Sequence, residues 1–526
     1  MTAPGSSPAP AAGPGIGPGL VVPHRAIITL CCMIGTLMQA LDSTIANVAL
    51  PYMQGSLSAT YDQITWVLTS YIIAAAIMTA PVGWLAARFG RRNLFVVSLA
   101  GFTVTSMLCG AAQSLDEIVL FRVAQGCFGA ALVPLSQSIM LDIYPAERRG
   151  QAMAIWGMGV MVGPIMGPTL GGYLTEFYDW RWVFYVNVPF GIVSMLGLMF
   201  FMRRLRGNMS LRFDWLGFAV LALGIGALQM MLDRGELKDW FSAREIIVEA
   251  LLAGTGLYLF VVHLLTAEKP FIPPAIFRDV NFTASMLVMF SAGLVMVASS
   301  ALLAPYLQDL GNYPVQTAGL VLAPRGVGTL LAMMVSGRLA DRMDPRILML
   351  VGIVLLEYSL WLMLAWTPDV APRAVAWVIV LQGAGLGFVF TPLQVMAFAT
   401  LPLAMRTDGT ALLSLFRNFG SAIGVSITSA LLDRVTQQEH SDLSALVTPF
   451  RRLFTDNPAM HRFLDPGTPA GAAMLNQVID RQAQVIAYLA DFKLMIFTSL
   501  PILFLILIMR RTSHAAMPAE HAAVME

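Results

Sequence analysis

The sequence predicts an all-α polytopic membrane protein, and three observations carry that prediction. Its 526 residues are 57% hydrophobic and only 12% charged, with a mean hydropathy of +0.71; a soluble domain carries about 25% charged residues. Fourteen largely apolar stretches follow one another, each near the ~20 residues that cross a bilayer core as a helix. The arginines gather in every second loop, which gives the spans an orientation.

In order, helices are predicted over residues 25–50, 63–86, 92–113, 115–140, 149–174, 181–203, 213–233, 243–266, 282–308, 314–340, 345–366, 373–400, 406–432 and 490–510. Arg88, Arg91 and Arg92 follow the second, Arg148 and Arg149 the fourth, Arg203, Arg204, Arg206 and Arg212 the sixth, and Arg338, Arg342 and Arg346 the tenth. Because short cytoplasmic loops hold the excess of Lys and Arg, both termini are expected to be cytoplasmic and the polar segment 433–489 external. That segment alternates helix-forming stretches with PGTP and is expected to form short helices over the outer mouth. Residues 1–24 and 511–526 are expected to be cytoplasmic tails. The first lacks the basic and apolar regions of a cleaved signal peptide, and its Pro/Gly/Ala composition reads as disordered.

The chain also repeats itself. At an offset of 257, Gln125-Gly126 match Gln382-Gly383, Arg149 matches Arg406, and Gly163 and Gly167 match Gly420 and Gly424. GWLAARFGRR at 83–92 likewise resembles GRLADRMDPR at 337–346. Internal repeats mark secondary transporters, whose halves rock around a central site. Two six-helix halves, 25–206 and 271–510, are therefore expected to flank an inserted helix pair, 207–270.

Several functions are excluded by what is missing. The three lysines, Lys238, Lys269 and Lys493, follow no glycine-rich loop, so no Walker-type nucleotide site exists. The four cysteines and six histidines show neither metal-ligand spacing nor a haem pattern; no metal and no cofactor is expected. A net charge of +1 gives no pull toward nucleic acid, and no catalytic constellation marks an enzyme.

Asp42 is the sharpest candidate for chemistry, because a carboxylate inside a membrane helix is costly. Gln39, Ser43 and Asn47 repeat every fourth residue beside it and form a polar stripe with it, as expected for a water-accessible cavity. Burial raises and a nearby cation lowers a carboxylate's proton affinity, so Asp42 can gain and lose a proton as access alternates. The competing reading is an aspartate that only ties helices together. Arg122 is the expected counter-charge: counted at 1.5 Å per residue, both groups lie roughly 10–12 Å below the outer boundary. The offset of 257 puts Ile379 where a second Arg122 would stand, so the charge exists in one half only; a buried structural arginine is the alternative. Glu357, near the middle of the eleventh helix, is a candidate second titratable group or a structural pairing residue.

The fifth helix carries GVMVGPIMGPTLGGYL at 159–174. Gly159, Gly163, Gly167 and Gly171 fall every fourth residue, Gly172 follows, and Pro164 and Pro168 stand behind two of them. Residues four apart lie about 40° apart around a helix, so the glycines form a bare stripe of the kind that lets membrane helices meet backbone to backbone.

These motifs resemble the major facilitator superfamily. The loop bearing Gly83, Arg88, Gly90, Arg91 and Arg92 is similar to its signature loop. LDSTIANVALP (41–51), RVAQGCFGAALVPL (122–135) with Gln125, and the glycine ladder resemble motifs of its drug:proton antiporters. The inserted pair points to the fourteen-helix branch. WRWVFYVNVPFG (180–191) and MLDRGELKDWFS (231–242) resemble the inner-membrane pumps of bacterial tripartite exporters. The resemblance implies proton-coupled export of hydrophobic or amphipathic compounds across the inner (plasma) membrane by alternating access, driven by the proton gradient. It implies a periplasmic EmrA-like adaptor and an outer-membrane channel as partners, with the adaptor meeting 433–489. It places Arg325 and Arg417 along the central interface, and sets the glycine ladder against the opposite half as a seal. Ala87 stands where the family's first loop usually holds an acid, which puts its charge latch in doubt; the second copy has Asp341. With 33 Met and 29 Phe, adaptable cargo surfaces are available. The alternatives are an exporter of one metabolite, such as a fatty acid or siderophore, and a transporter-like sensor or structural subunit.

Overall fold

The computed structural model describes residues 23–204, 207–447 and 468–510, and every regular element among them is helical. Fourteen spans result: α1 Arg25–Ser56, α2 Trp66–Thr79 continued by Val82–Phe89, α3 Arg91–Ala111, α4 Leu115–Ile143, α5 Arg149–Phe177, α6 Trp182–Phe201, α7 Trp215–Arg234, α8 Arg244–Thr266, α9 Val280–Leu310, α10 Thr317–Ala340, α11 Pro345–Met363, α12 Pro372–Ala399, α13 Arg406–Leu446 and α14 Pro469–Ile508. Local chemistry sets their ends. Ser114, Asp214 and Asp279 accept the backbone N–H of Glu117 (3.3 Å), Gly217 (2.9 Å) and Phe282 (3.0 Å), satisfying donors that a helix start leaves free. Gly90 ends α2 at φ 84°, a region closed to most side chains. Pro81 stands at the 58° bend within α2, as expected where proline interrupts the ladder.

The repeat is visible in the packing. In the first half α5 lies on α1, α4 on α2 and α4 on α3; eight helices later α13 lies on α9, α12 on α10 and α12 on α11. α7 and α8 cross with Gly224 against Gly256, where a Cβ on Gly256 would come within 2.6 Å of the Gly224 nitrogen. α7 touches both α2 and α13, so the inserted pair straps the halves together. Phe200, Leu265 and Phe504 stand 70% or more exposed on the outer wall, as lipid-facing residues must. The last turn of α14 is tied to the start of α9: the Asn281 side chain bonds the Arg510 backbone at 2.7 and 3.2 Å.

One expectation is corrected. Within the described part of the segment 433–489, residues 433–446 and 469–489 are not short helices lying over the mouth. α13 runs straight on to Leu446 and α14 starts at Pro469, and the two extensions pack together, with His440 Nε2 3.0 Å from Asn476 Oδ1. Hydropathy falls at the bilayer edge, but QQEHSDLSAL is helix-forming and continues the same rod. Residues 448–467, and the tails 1–22 and 511–526, lie outside the described residues.

Candidate functional site

Asp42 on α1 and Arg122 on α4 meet inside the first half. Both are 0% exposed, and Arg122 Nη1 stands 2.7 Å from Asp42 Oδ2. Gln125 Nε2 (2.9 Å) and Asn187 Nδ2 (3.1 Å) donate to Asp42 Oδ1. Arg122 also donates to Gln125 Oε1 (2.8 Å) and to the Val67 carbonyl (2.9 Å), and its guanidinium lies 4.1 Å over the Tyr71 ring. Asn187 is in turn 3.1 Å from Ser106 Oγ, which bonds the Phe184 carbonyl. The carboxylate thus meets one cation and two amides, the condition under which a buried charge pair is tolerable. Asn187, Ser106 and Tyr71 escaped the sequence reading. A lone Asn within the apolar run 182–201 was the available signal for the first.

The polar stripe is corrected. Asp42 turns away from it into the helix bundle, fully buried, whereas Gln39 and Ser43 are half-buried and Asn47 is exposed. The stripe therefore opens progressively toward the outer end without the carboxylate. Gln39 reaches the Tyr71 hydroxyl at 3.5 Å.

The repeat supplies an internal control. Cβ atoms on Gly163 and Gly420 would meet Ala40 and Phe290, and on Gly167 and Gly424 they would meet Thr44 and Leu294. Both correspondences place α1 and α9 at an offset of 250, so Ala292 is the counterpart of Asp42. Ile379 is the counterpart of Arg122, and both are buried apolar residues. Gln382, the match to Gln125, is buried with neither amide atom bonded.

The glycine ladder packs within its own half. A Cβ on Gly163 would come within 2.6 Å of Ala40 Cβ and 2.8 Å of the Leu41 nitrogen, and one on Gly171 within 3.0 Å of Ile45 Cγ1. Gly159 sits more loosely against Met33 at 3.5 Å, and Gly172 meets nothing within 4 Å. The expected seal against the opposite half is thus corrected: other residues of α5 face α10, with Gly157 against Met333 and Ile165 against Gly326. Pro164 is exposed, the Pro168 side chain lies outside the described residues, and the segments Arg149–Gly167 and Thr169–Phe177 meet at 40°.

The halves close over the arginine-rich end. Gln137 bonds Gln394, its own partner in the repeat, and Ser138 Oγ lies 3.0 Å from Thr407 Oγ1. Arg91 pairs with Asp142, and Arg406 reaches the same carboxylate at 3.3 Å. Asp341 Oδ1 accepts the Gly150 N–H at 2.8 Å, capping the start of α5 from the other half, where the helix dipole favours an anion. A Cβ on Gly83 would come within 2.9 Å of Asp408 Cα. The loop residues divide: Gly83 and Arg91 face the other half, while Arg88 bonds the Leu211 carbonyl of the inserted segment and Arg92 the Leu198 carbonyl (3.3 Å) of its own half. Asp142, on α4, is the acid that Arg91 and Arg406 share.

Arg325 and Arg417 do not come together. Arg325 bonds Ser300 Oγ (2.5 Å), Ser299 Oγ (3.0 Å) and the Met296 carbonyl (3.0 Å) of α9. Arg417 lines a narrow crevice with Gln137, Trp156, Met289, Gln394, Leu413 and Ser414. Glu357 accepts from Ser499 through Oε1, and its Oε2 is buried without a donor.

Two equivalent six-helix units, strapped together, closed over one end and, among the described residues, carrying a buried charge pair in one unit only, define a multi-pass membrane transporter. The chain belongs to the major facilitator superfamily, whose pattern it matches over residues 32–425. It is 36% identical over 429 residues to the multidrug export protein EmrB of Escherichia coli K12, covering 81% of this chain and 83% of that protein. It is 32% identical over 484 residues to the fatty acid resistance protein FarB of Neisseria gonorrhoeae, covering 91% and 94%. The crystal structure of the human organic anion transporter MFSD10 superimposes with a TM-score of 0.60 at 14% identity, covering 92% of this chain and all of that one, which shows the shared fold.

Proposed function

We propose that this protein is a proton-coupled multidrug exporter of the bacterial inner membrane that discharges hydrophobic or amphipathic compounds outward. The observation that carries the reading is the Asp42–Arg122 pair, fully buried in one half with Ala292 and Ile379 in the other. Protonation of Asp42 removes the anion from a dry site and leaves the Arg122 cation unpaired. Breaking a buried pair costs about 3–5 kcal/mol, enough to move a two-state equilibrium through two orders of magnitude. Proton entry supplies about 2.3 kcal/mol per charge per 100 mV, an energy of the same order as that cost, and the reading calls for no cofactor. Kinship with the export protein EmrB supports hydrophobic compounds as cargo. The α13–α14 extension offers a surface for an EmrA-like adaptor, which would lead to an outer-membrane channel.

The test is export of a panel of hydrophobic dyes from inside-out vesicles under an imposed pH gradient. Asp42→Asn abolishes accumulation against the gradient; accumulation at the wild-type rate would refute the assignment. Likeness to FarB favours a second reading, a fatty acid exporter, and laurate in the same assay separates the two.

A further inference from the structure

We propose that Asp491, in the C-terminal half, is a second proton-binding site of the transporter, loaded from the outer face. The inference rests on the reading of the chain as a proton-driven exporter, but not on Asp42. Asp491 lies on α14 and is 0% exposed, and neither carboxylate oxygen has a hydrogen-bond partner among the described residues. Asp42 differs in each respect that governs ionisation, having three donors, one of them a cation. An ionised carboxylate without donors in a dry site costs several kcal/mol. Asp491 therefore holds a proton in the state seen here, closed at the inner end.

The surroundings supply acids rather than a stabilising cation. α14 packs on α13, α11, α9 and the turn Tyr306–Leu310 that ends α9. Those elements bring Asp433 from α13, Glu357 from α11, and Tyr306 and Asp309 from the turn. Tyr488 stands one turn before Asp491 on the same helix, with its ring against that of Tyr306. Asp309 and Asp433 are exposed. The Tyr306 hydroxyl is buried without a partner, and its ring stands 5.2 Å from that of Tyr488. Of the nearby cations, Arg434 and Lys493 are exposed, and Arg481 is spent on the Leu310 carbonyl at 2.7 Å. The elements that pack on α14 thus bring two exposed carboxylates, Asp309 and Asp433, to the outer part of the helix that carries the buried Asp491, and this is the side from which we infer it is loaded. Further inward, Ser499 lies two turns on, about 12 Å along the helix, and donates to Glu357, whose second oxygen is also without a donor. The chemistry is a single O–H bond. A proton from outer water adds to one Asp491 oxygen to give the neutral acid, and the same bond breaks on release, with no change in electron count.

The group earns no place as a structural element. An acid with no partner adds nothing to stability, and an apolar side chain of similar size would pack as well.

The experiment is infrared difference spectroscopy of the purified full-length protein between acid and alkaline pH, with thermal melting alongside. The wild type is expected to show a protonated-carboxyl band at neutral pH that Asp491→Asn removes, Asp491→Glu shifts and Asp42→Asn leaves in place. Asp491→Asn and Asp491→Leu are expected to melt at or above the wild-type temperature, and dye export driven by a pH gradient is expected to fail in Asp491→Asn and return in Asp491→Glu. A band that survives Asp491→Asn overturns the proposal, as does a lowered melting temperature in both variants, which would make the carboxyl structural. Failure of the exporter reading would look different: the wild type itself would move no dye under a pH gradient, whatever the infrared band showed.

Discussion

Replacing Gly163 with alanine will drive α1 and α5 apart at the level of the charge pair. The added Cβ would stand 2.6 Å from Ala40 Cβ, 2.7 Å from the Ala40 carbonyl carbon and 2.8 Å from the Leu41 nitrogen. Carbon atoms rest at about 3.5–4.0 Å, so the helices must part by roughly 1 Å, and two of the three obstacles are backbone that cannot swing aside. Overpacking of this kind costs about 1–3 kcal/mol. Leu41 precedes Asp42, whose bond to Arg122 is 2.7 Å; lengthened by as much, it leaves the hydrogen-bonding range. Two glycines of the same helix act as controls. Gly172→Ala meets nothing within 4 Å and Gly159→Ala meets Met33 at 3.5 Å, so both gain up to about 1 kcal/mol of helix propensity without a clash. Thermal melting in detergent and dye export are the assays. The expected order of melting temperature is Gly172→Ala at or above wild type, Gly159→Ala near it and Gly163→Ala below it, with export lost in the last alone. Equal melting and export in Gly163→Ala and Gly172→Ala would refute the reasoning.

Asp42→Asn alone leaves Arg122 buried and unpaired, so it is expected to lower stability by about 3–5 kcal/mol, whereas Asp42→Asn with Arg122→Met recovers stability and not export; melting and vesicle transport of both check this. Ser138→Cys with Thr407→Cys, at hydroxyls 3.0 Å apart across the halves, is expected to form a disulfide under oxidation that stops export and to release it on reduction, read by gel mobility and transport. Asp341→Asn keeps shape but removes the anion capping α5, at a cost of about 0.5–2 kcal/mol; spin-label distances across the inner end are expected to lengthen.

What the sequence made legible follows from how expensive each feature is. A carboxylate and a guanidinium within apolar runs have few affordable explanations, so Asp42 and Arg122 could be found without coordinates, and equal depth pointed one at the other. Asn187 carries no charge and passes unremarked in the run WVFYVNVPFG, although it closes the same network. The glycine ladder announced close packing, but a bare stripe does not say which helix lies on it, and the partner is α1 rather than the other half. The extensions of α13 and α14 were read as surface segments because hydropathy reports the bilayer and not the helix. Asp491 was missed for the same reason: it fell at the edge of an apolar stretch, and only packing shows it buried.

The two halves contribute equally to closure and unequally to charge, and these are separate physical tasks. Closure needs surfaces that fit in either direction of a rocking motion, and Gln137 meeting Gln394, its counterpart at an offset of 257, is the kind of contact a pseudo-twofold axis generates. A coupling charge placed on both sides of that axis would bias neither facing state over the other through its position alone. Placing the Asp42–Arg122 pair against Ala292 and Ile379 breaks the symmetry energetically while leaving the backbone symmetric. The C-terminal half then carries acids elsewhere, the half-buried Glu357 on α11 and the buried Asp491 on α14. Loss of Gln137 or Gln394 is therefore expected to impair opening and closing for any cargo, proton-driven or not. Loss of Asp42 is expected to leave passive exchange of dye across the transporter intact and to remove only accumulation. If Asp42→Asn also stopped passive exchange, closure and coupling would not be separable in this fold.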